Sequence, residues 1–526
     1  MGVEILLGLL FVMVLLVAAA NKLKLPYPIL LVIAGLGIGF VPGLPTITLD
    51  PNLVFFLFLP PIIQLSAFYT STRDFRQNLR SIGLLAIGLV LATMFVVAIV
   101  AHMVMPGLPW AAAFALGAIV APTDSIAATS IAQRLGLPRR IVTVLEGESL
   151  LNDATAIVCY RVAVAAVVSG AFSLADAGVQ FLVSSIGGVL AGIALGLVVT
   201  PIFRRLREDI PVYLTLTFLS GYGAYLLADG LHLSGVLAVA ALGLFYSQPR
   251  FNTMTPELRI QGTPIWDIVV FVLNGLIFIL VGLQLRNIVE HLPKGATLEL
   301  IESALVICLA LILVRIIWVF PGTYLPRLPA SVRARDPFPP WQSTVIVGWA
   351  GMRGGVSLAT AIALPYVTDT KAAFPQRAEI VFVTFVVILI TLVVQGLTLP
   401  LLIQGFKVFD DGGATKEENK ARLKAAQAAQ ARLQELAQEE HTPPVLIEKL
   451  MHQYEARIKR YSARYHGELD DEEEEHFTRF GQLEQDLLQV ELDALIKLRN
   501  DQVINDEVMR TVQHDLDLEW LRLQDG

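Results

Sequence analysis

The chain has 526 residues, a hydrophobic fraction of 55% and a mean hydropathy of +0.64; apolar runs long enough to cross a bilayer recur from the N-terminus to about Gln404, the pattern of a polytopic membrane protein with a soluble tail. The net charge of −7 divides into +5 over residues 1–409 and −12 over 410–526, which marks a domain boundary and argues against nucleic acid or an anionic lipid surface as the partner of the tail. Two unclustered cysteines inside apolar segments, Cys159 and Cys308, suggest neither a disulfide framework nor a zinc site. The start Met1-Gly2-Val3-Glu4 lacks the charged region of a signal peptide and is kept as part of a first span.

Thirteen spans are predicted in chain order: Val3–Ala20, Pro26–Val41, Pro51–Tyr69, Ile82–Val104, Trp110–Ile131, Ile141–Val168, Leu174–Phe203, Pro211–Ala228, Leu233–Tyr246, Pro264–Leu283, Leu298–Leu325, Trp341–Val367 and Ile380–Ile403. The last carries a Gln395-Gly396 break and is open to being two shorter pieces. Loops after odd-numbered spans hold 16 Lys+Arg, Lys24, Arg250 and Arg335 among them; those after even-numbered spans hold four, Arg286, Lys294, Lys371 and Arg377. The positive-inside rule then places the N-terminus outside and the tail in the cytoplasm of a cell-membrane protein. Glycine-rich stretches at Gly35-x-Gly37-x-Gly39 and Gly188-x3-Gly192-x3-Gly196 lack the features of phosphate loops and are read as close helix packing in lipid.

Three spans carry polar residues where apolar ones are expected. In the fifth, Ala121-Pro122-Thr123-Asp124-Ser125 places a proline at mid-span, where it removes a backbone donor and breaks the helix. Freed carbonyls, Thr123 and Asp124 can then serve a cation; the simpler reading is a proline kink with Asp124 capping the second half-helix, and the two are compatible. In the sixth, Glu148 and Asn152 are four apart, as are Ser149 and Asp153, so all four share one helix face. An ionisable group at mid-bilayer costs at least ~2.5–3.5 kcal/mol and usually faces an ion or proton path. Asp153 is read as the carboxylate that binds a small cation and a proton in turn. In the twelfth, Gly351, Gly354 and Gly355 surround Arg353, whose expected partner is Glu148. Arg161 and Arg315 are also intramembrane; either is read as a structural partner for an acid or as an interfacial side chain. Six spans precede the seventh and six follow it, so the broken fifth corresponds to the broken twelfth, the spacing of inverted six-helix repeats in a secondary transporter.

The tail, residues 406–526, is read as a helical domain for regulation or dimer contact: a helix over 415–440, a stop at His441-Thr442-Pro443-Pro444, a second helix over 445–465, an acidic run at Asp470–Glu475, and a third helix carrying Leu483 to Leu498.

Leu59-Pro60-Pro61-Ile62-Ile63, Thr123-Asp124, Glu148-Ser149-x-x-Asn152-Asp153, Gly351-Met352-Arg353-Gly354-Gly355 and Gln395-Gly396-Leu397-Thr398, in that order, give residues 1–405 a specific resemblance to the monovalent cation:proton antiporters of the sodium/proton exchanger superfamily. The resemblance implies an all-α polytopic membrane domain, a homodimer in membrane lipid, and no cofactor beyond the transported ions. It implies a cation (Na+) held at Asp153 with help from Ser149 and Thr123, support from Asn152 and Asp124, and a Glu148–Arg353 ion pair. Asn rather than Asp at 152 resembles the electroneutral branch. Ser125 stands where some relatives have proline, and Gln64-Leu65-Ser66 offers no acid where some have glutamate. The expected activity is exchange of Na+, or Li+, for H+. A K+/H+ exchanger is the nearest alternative, and a transporter-like sensor with a signalling tail a more distant one. An intramembrane enzyme is disfavoured, because the polar spans hold no Ser-His pair, His-Glu-x-x-His or metal-ligand cluster.

Overall fold

The computed structural model describes residues 3–23, 25–42, 51–170, 173–248, 254–293, 295, 297–334, 336–410, 412–438, 443–466 and 471–524. Met1, Gly2, Lys24, Arg250, Lys294, Arg335, the His441-Thr442 helix stop and the side chains of the 470–475 acidic run lie outside the described residues. The chain divides into two units, Met1–Asp410 and Asp411–Gly526.

The first unit is built from helices: α1 (Val3–Leu23), α2 (Tyr27–Gly39), α3 (Pro51–Tyr69), α4 (Thr72–Val104), α5 (Trp110–Val120), α6 (Ser125–Arg134), α7 (Arg139–Ser169), α8 (Leu174–Leu206), α9 (Ile210–Gly230), α10 (Gly235–Tyr246), α11 (Pro256–Glu290), α12 (Thr297–Tyr324), α13 (Trp341–Trp349), α14 (Gly355–Ile362) and α15 (Arg377–Phe406). Among the described residues, nine helical segments are long and apolar enough to cross a membrane, and α2, α3 and α10 contribute shorter apolar helices. Every segment expected to span is occupied by a helix or by a broken pair.

Two helices outrun the apolar stretches that announced them. α4 begins at Thr72 rather than near Ile82, because Ser71 caps it by accepting from the Asp74 N–H at 3.2 Å and a polar first segment stays helical. α11 begins at Pro256, capped by Thr255. Hydropathy reports the part in lipid, whereas caps report where the helix starts. The Gln395-Gly396 position is not a break: α15 runs through it by way of a π-helical stretch at Thr391–Gln395.

Large apolar side chains face outward along α1 (Leu7, Phe11, Val14), α8 (Leu182, Val183, Ile186, Val198) and α12 (Leu305, Leu309, Ile317). In water such stripes would be unstable; in a bilayer they meet their own kind, and helices, whose backbone bonds are internal, are the form that survives there. Inside, backbones approach closely at the two glycine-rich stretches. A Cβ on Gly35 would lie 2.3 Å from the Ile279 carbonyl oxygen of α11, and one on Gly192 would lie 2.1 Å from the Ala238 carbonyl oxygen of α10.

The break after α5 and the break after α13 are positioned by the residues that cause them. Pro122 cannot donate into the helix, so α5 stops at Val120 and Asp124 caps α6, accepting from the Ile126 N–H at 2.8 Å. The glycine-rich run from 350 to 354 separates α13 from α14. The two unwound stretches meet: the Asp124 N–H donates to the Met352 carbonyl at 2.8 Å.

The second unit holds α16 (Gly413–Leu436), α17 (Pro444–His466), α18 (Asp471–Asn500) and α19 (Asp506–Gln524). Leu423 and Ala426 of α16 pack on Tyr461 of α17, with Tyr454, Ile458 and Tyr465 around them. α19 is a fourth helix that the apolar periodicity had not singled out.

Candidate functional site

The site is assembled around the first break. The Thr123 carbonyl accepts from Ser149 Oγ at 3.1 Å and from Asn152 Nδ2 at 3.5 Å, while Thr123 Oγ1 accepts from Asn152 Nδ2 at 2.8 Å and donates to Glu148 Oε1 at 3.2 Å. One threonine, freed from its helix by Pro122, thus fixes three of the polar residues of α7. Helix geometry sorts these residues into two rows. Glu148 and Asn152 are buried against α5 and α12, whereas Ser149 and Asp153 are half-buried.

Ser149 and Asp153 open into a cavity of about 90 Å³ that is also lined by Thr123, Asp124 and Ser125 of the first break, Gly354 and Ser357 of the second, Ile62, Ile63 and Ser66 of α3, and Asn274 of α11. Asp153, Ser149, Thr123 and Asp124 therefore share one chamber, and all are oxygen donors of the hard type that suits an alkali cation. Asn152 does not line it; that side chain holds Thr123 from behind. Asp124 spends Oδ1 on its cap, and its carboxylate packs on Gly354, at the start of α14, where a Cβ would come within 2.1 Å of Oδ2. Half-helix N-termini favour negative charge, so the break itself stabilises an anion there.

The expected Glu148–Arg353 pair is not formed. Glu148 pairs with Arg315 of α12, which donates to both carboxylate oxygens, Nη2 to Oε2 at 2.9 Å, and with Nη2 also to the Val347 carbonyl at 3.0 Å. Arg353 instead turns to backbone: Nε donates to the Val120 carbonyl at 3.1 Å and Nη1 to the Gly351 carbonyl. The physical reason lies in the breaks. Each leaves carbonyls at the end of a half-helix without intrahelical donors, and a buried guanidinium, with five N–H groups, satisfies them. The Arg353 backbone N–H is itself held by Thr391 Oγ1, at the start of the π-helical stretch, at 3.2 Å.

Among the described residues, neither Asp153 nor Asp124 takes part in an ion pair, while the buried acid next to them, Glu148, is neutralised by Arg315. Arg161 forms an ion pair with Asp229 at 2.9 Å, both partly exposed, and has no part in the site. Gln64 points away from the chamber, donating to the Thr217 carbonyl at 3.0 Å and to Ser220 Oγ at 3.3 Å; Ser66 is the residue of that triplet that reaches it.

The family model for the transmembrane part of the sodium/hydrogen exchangers matches residues 8–405. The chain belongs to the sodium/hydrogen exchanger family. An uncharacterised Na+/H+ exchanger of Mycobacterium bovis is 35% identical over 536 residues, covering 100% of this chain and 96% of that protein. A sodium, potassium, lithium and rubidium/H+ antiporter of Bacillus subtilis is 35% identical over 392 residues, 72% of this chain and 58% of its own length. The solved sodium proton antiporter NhaP1 of Methanocaldococcus jannaschii shares the fold, with a TM-score of 0.59 at 20% identity over 76% of this chain and 97% of that one. This exchanger is a multi-pass membrane transporter and not an enzyme. Arg315 and Asn274 are the polar residues around the site that sequence reasoning missed or left open. The signal for each was a single polar residue inside an apolar run, 268–283 for Asn274 and 304–322 for Arg315, without a motif around it.

Proposed function

We propose that this exchanger moves Na+, or Li+, one-for-one against H+ by alternating access, with Asp153 as the carboxylate that the two ions occupy in turn. The observation that carries the reading is the charge distribution at the junction of the two breaks: Asp153 and Asp124 face the chamber without an ion-pair partner among the described residues, and Glu148 is already neutralised by Arg315. Antiport requires a site that both ions want and cannot share. A carboxylate supplies it, since protonation removes the charge that holds the cation. Ser149 Oγ and the Thr123 oxygens complete the cation's oxygen shell, Asn152 keeps Thr123 in place, and Asp124 both holds the break open and adds field. The neutral amide at Asn152, beside Asp153, keeps the exchange electroneutral. The protein acts as a homodimer in the cell membrane, with its N-terminus outside and the tail, residues 406–526, on the cytoplasmic side as a regulatory domain.

The test is Asp153→Asn in everted vesicles. Cation-dependent proton flux is expected to disappear; persistence overturns the assignment. K+ transport is the second reading, favoured by the four cations in the name of the Bacillus relative. Flux measured with Na+, Li+, K+ and Rb+ salts in turn separates the two, and absence of flux with all four favours a sensor instead.

A further inference from the structure

Asn274 sits near the midpoint of α11, a 35-residue helix whose central window is among the most apolar in the chain. It is 5% exposed, and its Oδ1 is buried without a hydrogen-bond partner among the described residues. Buried amides are almost always satisfied, and one that is not calls for a reason. Its surroundings provide one. Asn274, Ile277 and Phe278, at i, i+3 and i+4, form the face that α11 turns toward the Asp153 chamber, and all three line it. Behind them Gly275 lets Met13 of α1 pack so closely that a Cβ would fall 2.2 Å from its sulfur, so the opposite side of the helix is filled by α1. The amide is thus a neutral oxygen donor fixed in the chamber wall, on a different helix from those that carry the carboxylates.

We propose that Asn274 is a further cation-coordinating residue, its Oδ1 reaching the ion directly or through one of the ion's waters. A neutral donor adds to the oxygen shell without adding charge. Cation affinity and the choice among ions therefore depend on it, while the proton inventory does not. The proposal rests on the assignment of the ion to the Asp153 chamber.

The experiment is thermal unfolding of the purified full-length protein in detergent, titrated with NaCl and then LiCl at constant ionic strength, for the wild type, D153N, N274L and N274D. N274L keeps the side chain's size and removes the oxygen; its half-saturating Na+ concentration is expected to rise roughly tenfold, in the range seen when a group that supports a metal site is removed, and its Na+/Li+ ratio to change. N274D keeps an oxygen at the same place and is expected to stay near or below the wild-type value. A purely structural role would lower the melting temperature without ions and leave the half-saturating concentration where it was. If D153N loses the cation response while N274L stays within about twofold of wild type, the proposal is overturned and the chamber assignment stands. If D153N keeps the wild-type response, the chamber assignment itself falls. Should N274L not fold, N274Q, which moves the oxygen by one methylene, takes its place, and an unchanged half-saturating concentration overturns the proposal equally.

Discussion

Replacing Arg315 by methionine tests the electrostatic skeleton of the site. In the folded protein Glu148 is 1% exposed, receives both of its charge-assisted hydrogen bonds from Arg315, and accepts a further one from Thr123 Oγ1. Arg315→Met removes the two guanidinium bonds and leaves a charged carboxylate in a low-dielectric interior, a loss of about 3–5 kcal/mol when one partner of a buried pair is deleted. Most of that loss is the uncompensated charge, so Glu148→Gln should restore much of it. A double-mutant cycle is therefore expected to give a coupling energy of about 2 kcal/mol or more between Glu148 and Arg315. The parallel cycle between Glu148 and Arg353 is expected to stay below about 1 kcal/mol, because among the described residues the Arg353 side chain bonds backbone carbonyls and not Glu148. The assay is denaturant unfolding of the purified protein in detergent for all variants. A 148–353 coupling larger than the 148–315 coupling would refute the reasoning and reinstate the pairing read from sequence.

Four further outcomes follow from local geometry. Asp124→Ala loses the cap of α6 and should be less stable by about 0.5–2 kcal/mol, whereas Asp124→Asn keeps an acceptor for the Ile126 N–H and should lose less in the same unfolding assay. Gly192→Ala forces a methyl toward the Ala238 carbonyl and is expected to cost about 1–3 kcal/mol in that assay. Gly37→Ala, whose new methyl meets no packing neighbour within 4 Å among the described residues, should be neutral or slightly stabilising, which makes it the control. In the tail, Leu423→Asp should reduce helix content and melting temperature by circular dichroism of the full chain, because Leu423 is one of the few buried residues joining α16 to Tyr461 of α17.

What the sequence made legible follows from which forces are local. A proline and a glycine cluster act on their own backbone, so both breaks could be placed from Pro122 and from Gly351, Gly354 and Gly355 alone. The four-residue spacing in α7 likewise put Ser149 and Asp153 on one row. The partner of Glu148 was not legible in this way. Two buried arginines compete for it, and the winner is decided by which one the broken ends of helices α5 and α13 require; that is a property of three elements meeting, with no trace in spacing. Asn274 escaped notice for a related reason: a lone amide in an apolar run means nothing until the helix is rotated and its face is known. α4 and α11 extend beyond their predicted spans because the hydropathy that reports lipid contact is blind to a polar first turn capped by Ser71 or Thr255.

The two unwound stretches are tied to each other by the Asp124–Met352 bond and splinted by Arg353, whose side chain grips the end of α5 and the loop after α13 while Thr391 pins its backbone. A discontinuity secured from so many directions is a poor joint. The Val120, Gly351 and Met352 carbonyls and the Asp124 and Arg353 amides already have partners, and bending there would strand them in a medium with no water to take their place. The two breaks are therefore expected to move as one body, and on the alternating access proposed above, exposure of the chamber to one side and then the other would come from sliding at the apolar surfaces around it, which can be exchanged without breaking a hydrogen bond.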